Sequence, residues 1–274
     1  MRKIDRLVIA AIPIEIRRSS RRRSRIGLSF DPSGRLVMEA PLDATEADIR
    51  SIVERHQRWL KSRLKAAQAS TELSGCLRYV TGERVHYRGA PYQLVIADGE
   101  TDTVLLQVTR RRPSPQLQLD MGRACAGSLT VVLGPACGRT GPSGGAGAGG
   151  VQRSERVRLL LQAWYQVHAD ALFARQFEYF RSRLPWLHDR LPPWRHRFMR
   201  SQWGSCSQSG RIALNTHLVK LPHRLTRYVV LHELCHLRHH DHGPSFYALM
   251  SRYMPDWHRR RAELDRYLPV LLQE

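Results

Sequence analysis

The feature that most constrains this chain is a polar triplet inside an otherwise apolar helix. The run Tyr228-Val-Val-Leu231 predicts a buried helix face, and it continues as His232-Glu233-Leu-Cys-His236. Side chains four residues apart lie one above the other on a helix, so the two histidine rings should be neighbours. Burying two imidazoles and a carboxylate without partners would cost roughly several kcal/mol. The alternative, a surface helix with incidental histidines, would need a solvated face.

The spacing of the triplet fits a metal site. Two histidines at i and i+4 can bind one Zn²⁺, with Zn–N distances of about 2.0–2.1 Å. Glu233 lies about 100° further around the helix, beside the ion and not on it. We therefore expect Glu233 to act as a general base on metal-bound water.

A catalytic zinc usually has three protein ligands and one open position. His239, His240 and His242 follow the second histidine closely. A continuous helix would carry His240 about 12 Å from His232, too far for one ion to bridge, and His239 has a similar difficulty. If the helix ends near 239–241, the chain can turn back before the helix stop Gly243-Pro244. We therefore predict His242 as the third ligand.

The N-terminal part of the chain has strand patterns. Residues 7–14 favour a strand over a signal peptide, since a block of arginines and no small-residue cleavage site follow. Alternation on both sides of Asp31-Pro-Ser-Gly34 predicts a hairpin, and Thr45 is a candidate N-cap for a helix reaching about Leu64. Further strands are expected at 84–88, 92–96 and 104–108.

The remaining segments complete an α+β pattern. Residues 109–152 contain a Gly-rich low-complexity stretch, which predicts an insertion or flexible linker. A phosphate-binding loop is the alternative, but the Gly-Lys-Ser/Thr ending is missing. A long amphipathic helix is expected over 154–183, with Val167 and His168 on its apolar face, then a strand at 211–215 and helices at 222–239, 244–253 and 256–267. The predicted regions are 1–108, 109–152 and 153–274.

Composition limits the partners. The formal charge is +20, which attracts polyanions without specifying one. Six arginines between Arg17 and Arg25 are a candidate nucleic-acid contact, but no aromatic residues interleave with them, so a solvated strand edge is the favoured interpretation. Five cysteines without a CxxC pair fit a reducing cytoplasm. No apolar run reaches the length of a membrane span.

Several runs together resemble one family. They are Met199-Arg-Ser-Gln-Trp203-Gly204-Ser205-Cys206-Ser207, Gly210-Arg-Ile-Ala-Leu-Asn215, the Tyr228–Leu237 helix, and His242-Gly-Pro-Ser-Phe246. The chain is similar, over nearly its whole length except 109–152, to the YgjP-like metal-dependent hydrolases. Gly243 departs from this pattern, since the family commonly has Ser there.

The resemblance implies a β-rich N-terminal half followed by a zincin-like catalytic half, and kinship with SprT-like and WLM metallopeptidases. It implies one Zn²⁺ held by His232, His236 and His242, with Glu233 catalytic, and hydrolysis of amide bonds in a peptide or protein. It also makes Trp203, Gly204, Ser205 and Asn215 candidates for the substrate cleft, because in zincins a strand before the metal helix commonly lines it.

Other assignments remain open. Cys235 is expected to be a small buried residue and Cys206 a less favoured candidate for a thiol nucleophile. The oxyanion donor could be Tyr228, His217 or Arg200. A rival function is a basic nucleic-acid-associated protein with a structural or vestigial zinc, although structural zinc sites are usually closed by four ligands. A protease recruited to DNA combines both hypotheses.

Overall fold

The computed structural model describes residues 3–9, 12–19, 26–30, 36–55, 60, 77–109, 125–135, 146–199, 202–267 and 270. Its contacts group the chain into two compact units that interleave along the sequence. One unit comprises residues 1–76, 198–203 and 251–274, and the other comprises residues 77–197 and 204–250. The three-part division expected from the sequence stays a prediction about domain organisation.

The first unit contains a four-stranded sheet. Its strands are β1 (Lys3–Ile9), β2 (Ile12–Arg18), β3 (Gly27–Phe30) and β4 (Leu36–Ala40), in the order β1-β2-β4-β3. The expected hairpin is present as the antiparallel pair β3–β4, although its turn at 31–34 lies outside the described residues. The apolar stretch 7–14, expected as one strand, is instead divided between β1 and β2, which pair antiparallel with Leu7 opposite Ile14. On β2, Ile12, Ile14 and Ile16 alternate into the core, as one face of a strand does.

Helix α1 (Glu46–Arg55) covers the core of this sheet. Thr45 caps it as expected: its hydroxyl oxygen accepts from the Asp48 N–H at 3.2 Å, and the Asp48 carboxylate accepts from the Thr45 N–H at 2.9 Å. Ile49 and Val53 are fully buried in the cluster that contains the β2 isoleucines. Most of the expected extension to Leu64 lies outside the described residues. The unit also contains α5 (Trp257–Asp265).

The second unit contains a four-stranded sheet of β5 (Arg84–Tyr87), β6 (Ala90–Asp98), β7 (Thr103–Val108) and β8 (Gly127–Leu133). The order is β5-β6-β8-β7, with β8 parallel to β6 and antiparallel to β7. The expected strands at 84–88, 92–96 and 104–108 correspond to β5, β6 and β7.

Two described elements lie within the stretch 109–152. It holds β8, an interior strand of the sheet, in which Leu129, Val131 and Leu133 alternate into the core. Helix α2 (Ala146–Arg181) also begins within the Gly-rich run, eight residues before its expected start at 154. Glycine is a poor helix former, but once a helix is docked each added residue contributes one hydrogen bond. A flexible linker therefore does not describe residues 127–133 or 146–152, and the alternative of an insertion stays a prediction.

Helix α2 is the longest element of this unit. Tyr165, Phe173 and Phe177 are among the large side chains that it buries completely. Val167 was expected on the same face but is 67% exposed, because it lies about 160° of helix rotation away from the fully buried Tyr165.

A turn between β5 and β6 fixes the start of the next helix. Arg88 (φ 51°) and Gly89 (φ 85°) adopt the left-handed conformation. Their N–H groups donate to the carbonyls of Val219 and Lys220, at 2.9 Å each. A Cβ on Gly89 would lie 2.6 Å from the Pro222 ring, so this contact requires glycine. The turn thus holds the short 3₁₀ helix Thr216–Lys220, from which the chain enters α3 (His223–Cys235).

A second sheet completes the unit. It contains β9 (Trp194–Arg197), β10 (Gly204–Cys206) and β11 (Ile212–Asn215), in the order β10-β11-β9. Of these, only β11 was expected from the sequence. Helix α4 (Pro244–Tyr253) follows α3 as expected, but α3 ends at Cys235, four residues before the expected end at 239.

The half-buried His86 on β5 predicts a pH-dependent stability. Burial, with Lys220 and Arg84 nearby, lowers its pKa from 6.5 to about 4. The unfolded chain therefore binds more protons, so this stability is complete above pH 6.5 and is lost as the pH falls towards 4. When the pH is lowered from 7 to 5, we expect the free energy of unfolding of the parent protein to fall by about 2 kcal/mol.

The check is urea unfolding of the parent and of His86→Gln at both pH values. Over this pH change, the free energy of unfolding of the variant should fall by about 2 kcal/mol less than that of the parent. Equal losses in the two proteins would show that His86 is not the titrating group.

Candidate metal centre

Three histidine side chains converge at the end of α3. The Nε2 atom of His232 lies 3.2 Å from that of His236 and 3.1 Å from that of His242. The ligand atoms of all three lie within 4.8 Å of one another. Two nitrogens bound to one tetrahedral zinc at about 2.05 Å would be about 3.3 Å apart. The three histidines therefore fit a single ion of this size.

The early end of α3 brings the third histidine to the other two. His236 is the C-cap residue of the helix, and the His239 N–H donates to the Cys235 carbonyl at 3.0 Å. The chain then turns back and reaches His242 just before Pro244 starts α4. This is the turn that the sequence required, placed a few residues earlier. His239 and His240 are not in the cluster of possible ligands found among the described residues.

His239 contributes through its backbone. The Nδ1 atom of His236 lies 3.0 Å from the His239 carbonyl oxygen. A carbonyl can only accept, so Nδ1–H donates and the lone pair of His236 is on Nε2, which faces the other two histidines. Such a contact fixes the ring orientation of a metal ligand.

Phe246 on α4 packs against all three rings. Its centroid is 5.0 Å from that of His232, 4.7 Å from that of His236 and 4.8 Å from that of His242, and its side chain is fully buried. It supports the imidazoles from the apolar side. In the sequence, Phe246 stands out only as part of the family motif, because no spacing rule predicts which aromatic side chain lies beneath a metal site.

Glu233 lies beside the histidines and is almost completely buried. Only 5% of it is exposed, and burial raises the pKa of its carboxyl group to about 8. A cation held by the histidines would counteract this rise by favouring the carboxylate. A buried carboxyl group next to a cation site is well placed to accept and release protons.

Gly204 on β10 gives the Glu233 side chain its space. A Cβ at residue 204 would lie 2.6 Å from Oε1 of Glu233 and 2.9 Å from its Cγ and Cδ. Real Cβ atoms do not approach so closely, so a larger residue would displace the carboxylate. Gly204 was a cleft candidate from the sequence, and the structure places it directly against Glu233.

The other cleft candidates fall in different places. Ser205 lies on β10 and pairs with Ala213 on β11. Among the described strands, β10 is an edge of its sheet and β11 is the middle strand. An extended peptide can only pair with a free edge, so the expected 211–215 strand, which is paired on both sides, could line a cleft but could not pair with a peptide. Asn215 is fully buried and its side chain accepts from the His217 N–H at 3.0 Å, so a cleft role for it stays a prediction. Trp203 is buried and belongs to the first unit, and a cleft role for it also stays a prediction.

The two nearby thiols are poor nucleophiles. Burial raises the pKa of Cys235 to about 12, and burial with the Glu233 charge raises that of Cys206 to about 11. Both groups are therefore thiols near neutral pH, which argues against thiolate catalysis. Cys235 is fully buried, as expected.

One of the candidate oxyanion donors, Tyr228, contacts a metal-site ring. Its ring centroid is 6.0 Å from that of His232. His217 is buried on the 3₁₀ helix, and Arg200 lies outside the described residues. The structure thus places Tyr228 close to the histidines.

The arginine run is only partly described. Arg17 pairs with Glu15 at 2.7 Å and Arg18 with Asp5 at 3.0 Å, so both charges are compensated within the fold. Arg21, Arg22, Arg23 and Arg25 lie outside the described residues. The contact of Arg17–Arg25 with nucleic acid stays a prediction.

Three converging imidazoles with a buried carboxyl group one residue away are characteristic of metal-dependent hydrolases. The family described as YgjP-like, metallopeptidase domain, matches residues 24–121 and 147–267. The chain therefore belongs to the YgjP-like metallopeptidase family. No curated protein and no solved structure matches it significantly. Among the described helices, none is long and apolar enough to cross a membrane.

The contact between Gly204 and Glu233 gives a sharp test. We expect Gly204→Ala to lower peptidase activity about 100-fold, because a shift of about 1 Å in a catalytic group can cost that much. Bound metal, measured by atomic absorption, should be retained because no ligand changes.

The matched control is Cys206→Ala on the same strand, which should keep its activity. Full activity in Gly204→Ala would show that the carboxylate position is not critical. Loss of activity in the control would implicate the thiol instead.

Proposed function

We propose that the protein is a zinc-dependent peptidase in which His232, His236 and His242 hold one ion and Glu233 is the general base. The observation that carries the proposal is the convergence of three Nε2 atoms beside a carboxyl group buried against Gly204. A bound zinc ion would supply a Lewis acid that polarises the scissile carbonyl group and brings the pKa of water to about 7.

Glu233 has the environment that a proton carrier needs. Its carboxyl group is shielded from bulk water, and its unusually high pKa reflects that shielding. In the ionised form it takes a proton from the attacking water, and in the protonated form it passes that proton to the leaving amine. Gly204 keeps one side of the carboxylate clear for this exchange.

The substrate would bind along β10. This strand is an edge of its sheet in the described part of the chain, and it begins at the residue that contacts Glu233. Backbone pairing with an edge strand holds a peptide extended and is largely independent of its sequence. Tyr228 is the favoured hydrogen-bond donor to the developing oxyanion.

The rival with a purely structural zinc explains the site less well. Such sites normally have four protein ligands and are rich in cysteine, whereas the cluster found here contains three histidines. A structural ion also gives no reason to bury a carboxyl group beside it at a cost in stability.

The first test is Glu233→Gln, which keeps the shape of the side chain and removes the base. We expect hydrolysis of casein or a peptide library to fall about 100- to 10,000-fold, the usual contribution of general acid–base catalysis. Zinc content should be unchanged. If the variant is as active as the parent, the assignment of Glu233 is wrong.

The second test concerns the third ligand. In His242→Ala we expect much weaker zinc binding, measured by competition with a chromophoric chelator, because two histidines remain. His240→Ala is the matched control, being a nearby exposed histidine outside the cluster. Equal zinc affinity in His242→Ala and the parent would exclude His242 as a ligand.

A further inference from the structure

A row of cations and aromatic rings runs along one side of α2. Trp164, His168, Arg175 and Tyr179 are spaced by four, seven and four residues, which places them within about 60° of one another around the helix. From Trp164 to Tyr179 the row covers about 22 Å. We use the name arginine–aromatic stripe for this row together with four neighbouring residues: Arg88, Arg183, His223 and Arg227.

Three other segments bring their charges to this row. Arg88, on the β5–β6 turn, lies over the Tyr87 ring at 5.1 Å, and that ring contacts Trp164 and His168. The guanidinium groups of Arg183 and Arg227 lie 3.8 and 4.0 Å from the centroid of Tyr179. Gln176 joins the two helices, since it contacts His223 at 3.1 Å and accepts from Arg227 at 3.2 Å.

In the described part of the chain, ion pairs leave the positive charge of the stripe's arginines unneutralised. Arg88, Arg175, Arg183 and Arg227 make no ion pair with any carboxylate in the described part of the chain. Glu178, three residues from Arg175, pairs instead with Arg181. The pKa of His223 is lowered by burial and by Arg227, Arg88 and Arg175, which shows that these cations act on the same point. Elsewhere, Arg153 and Arg156 on α2 are each paired with an aspartate.

The stripe is separate from the metal centre. On α3, Arg227 and His223 lie about 140° and 180° around the helix from His232. A peptide bound along β10 beside Glu233 would therefore not be expected to reach them. The cations need a different partner.

We propose that the arginine–aromatic stripe binds single-stranded nucleic acid. Arginine forks match phosphate groups, and the partly exposed Trp164 ring and the guanidinium planes against Tyr179 offer surfaces on which unpaired bases can stack. An acidic protein would supply the charge but nothing to stack. A duplex would keep its bases inside. This inference is independent of the proposed peptidase activity and could hold without it.

The test measures binding of a fluorescently labelled oligothymidylate to the full-length protein by anisotropy, over a range of salt concentrations. Affinity should fall as salt rises, because bound phosphates release counterions. Arg175→Gln/Arg183→Gln should weaken binding about tenfold or more at low salt. It should also reduce the slope of log affinity against log salt by about 1.4.

The matched control is Arg259→Gln/Arg261→Gln, which removes the same charge from exposed positions on α5. It should keep the parent's slope, and thermal melting should show that both variants are folded. Equal losses in the two variants would overturn the proposal, since only net charge would then matter.

Three competitors identify the ligand. Heparin, polyglutamate and a DNA duplex should each compete less well than unlabelled oligothymidylate. If heparin or polyglutamate competes equally, the stripe recognises charge alone and the proposal fails. If the duplex competes equally, the assignment to single strands fails.

Discussion

The close contact between Gly204 and Glu233 is the constraint on which the position of the Glu233 carboxylate depends. Glu233 is shielded from water beside the three histidines, and only a residue without a side chain lets β10 approach it so closely. Among the described strands, β10 is also an edge of its sheet. In the proposed mechanism, one glycine therefore sets both the position of the base and the line along which a substrate would bind.

The sequence was sufficient for the parts of the site that depend on local geometry. The four-residue spacing of His232 and His236 places two rings on one helix face, and the Gly243-Pro244 stop allows the chain to return with His242. The support from Phe246 and the hydrogen bond from His236 to the His239 carbonyl could not be predicted. Both depend on where α3 ends, and helix ends are set by tertiary contacts as much as by local residues.

The fold shows the same division between local and long-range information. The Thr45 cap and the β3–β4 hairpin follow from neighbouring residues, and both are present. The place of β8 between β6 and β7, and the middle position of β11, are pairings between distant segments. Leu129, Val131 and Leu133 alternate in the sequence as strand residues do. The Gly-rich run on their C-terminal side nevertheless favoured a linker over a strand.

The position of β8 has a consequence for the order in which the chain can assemble. Within the described part of the chain, β7 pairs only with β8, although β8 is made 18 residues after β7 ends. At roughly 5–20 residues per second, a nascent chain would hold β7 without its partner for about one to four seconds. The segment between residues 122 and 146, which the family match omits, thus controls when this sheet can close during synthesis.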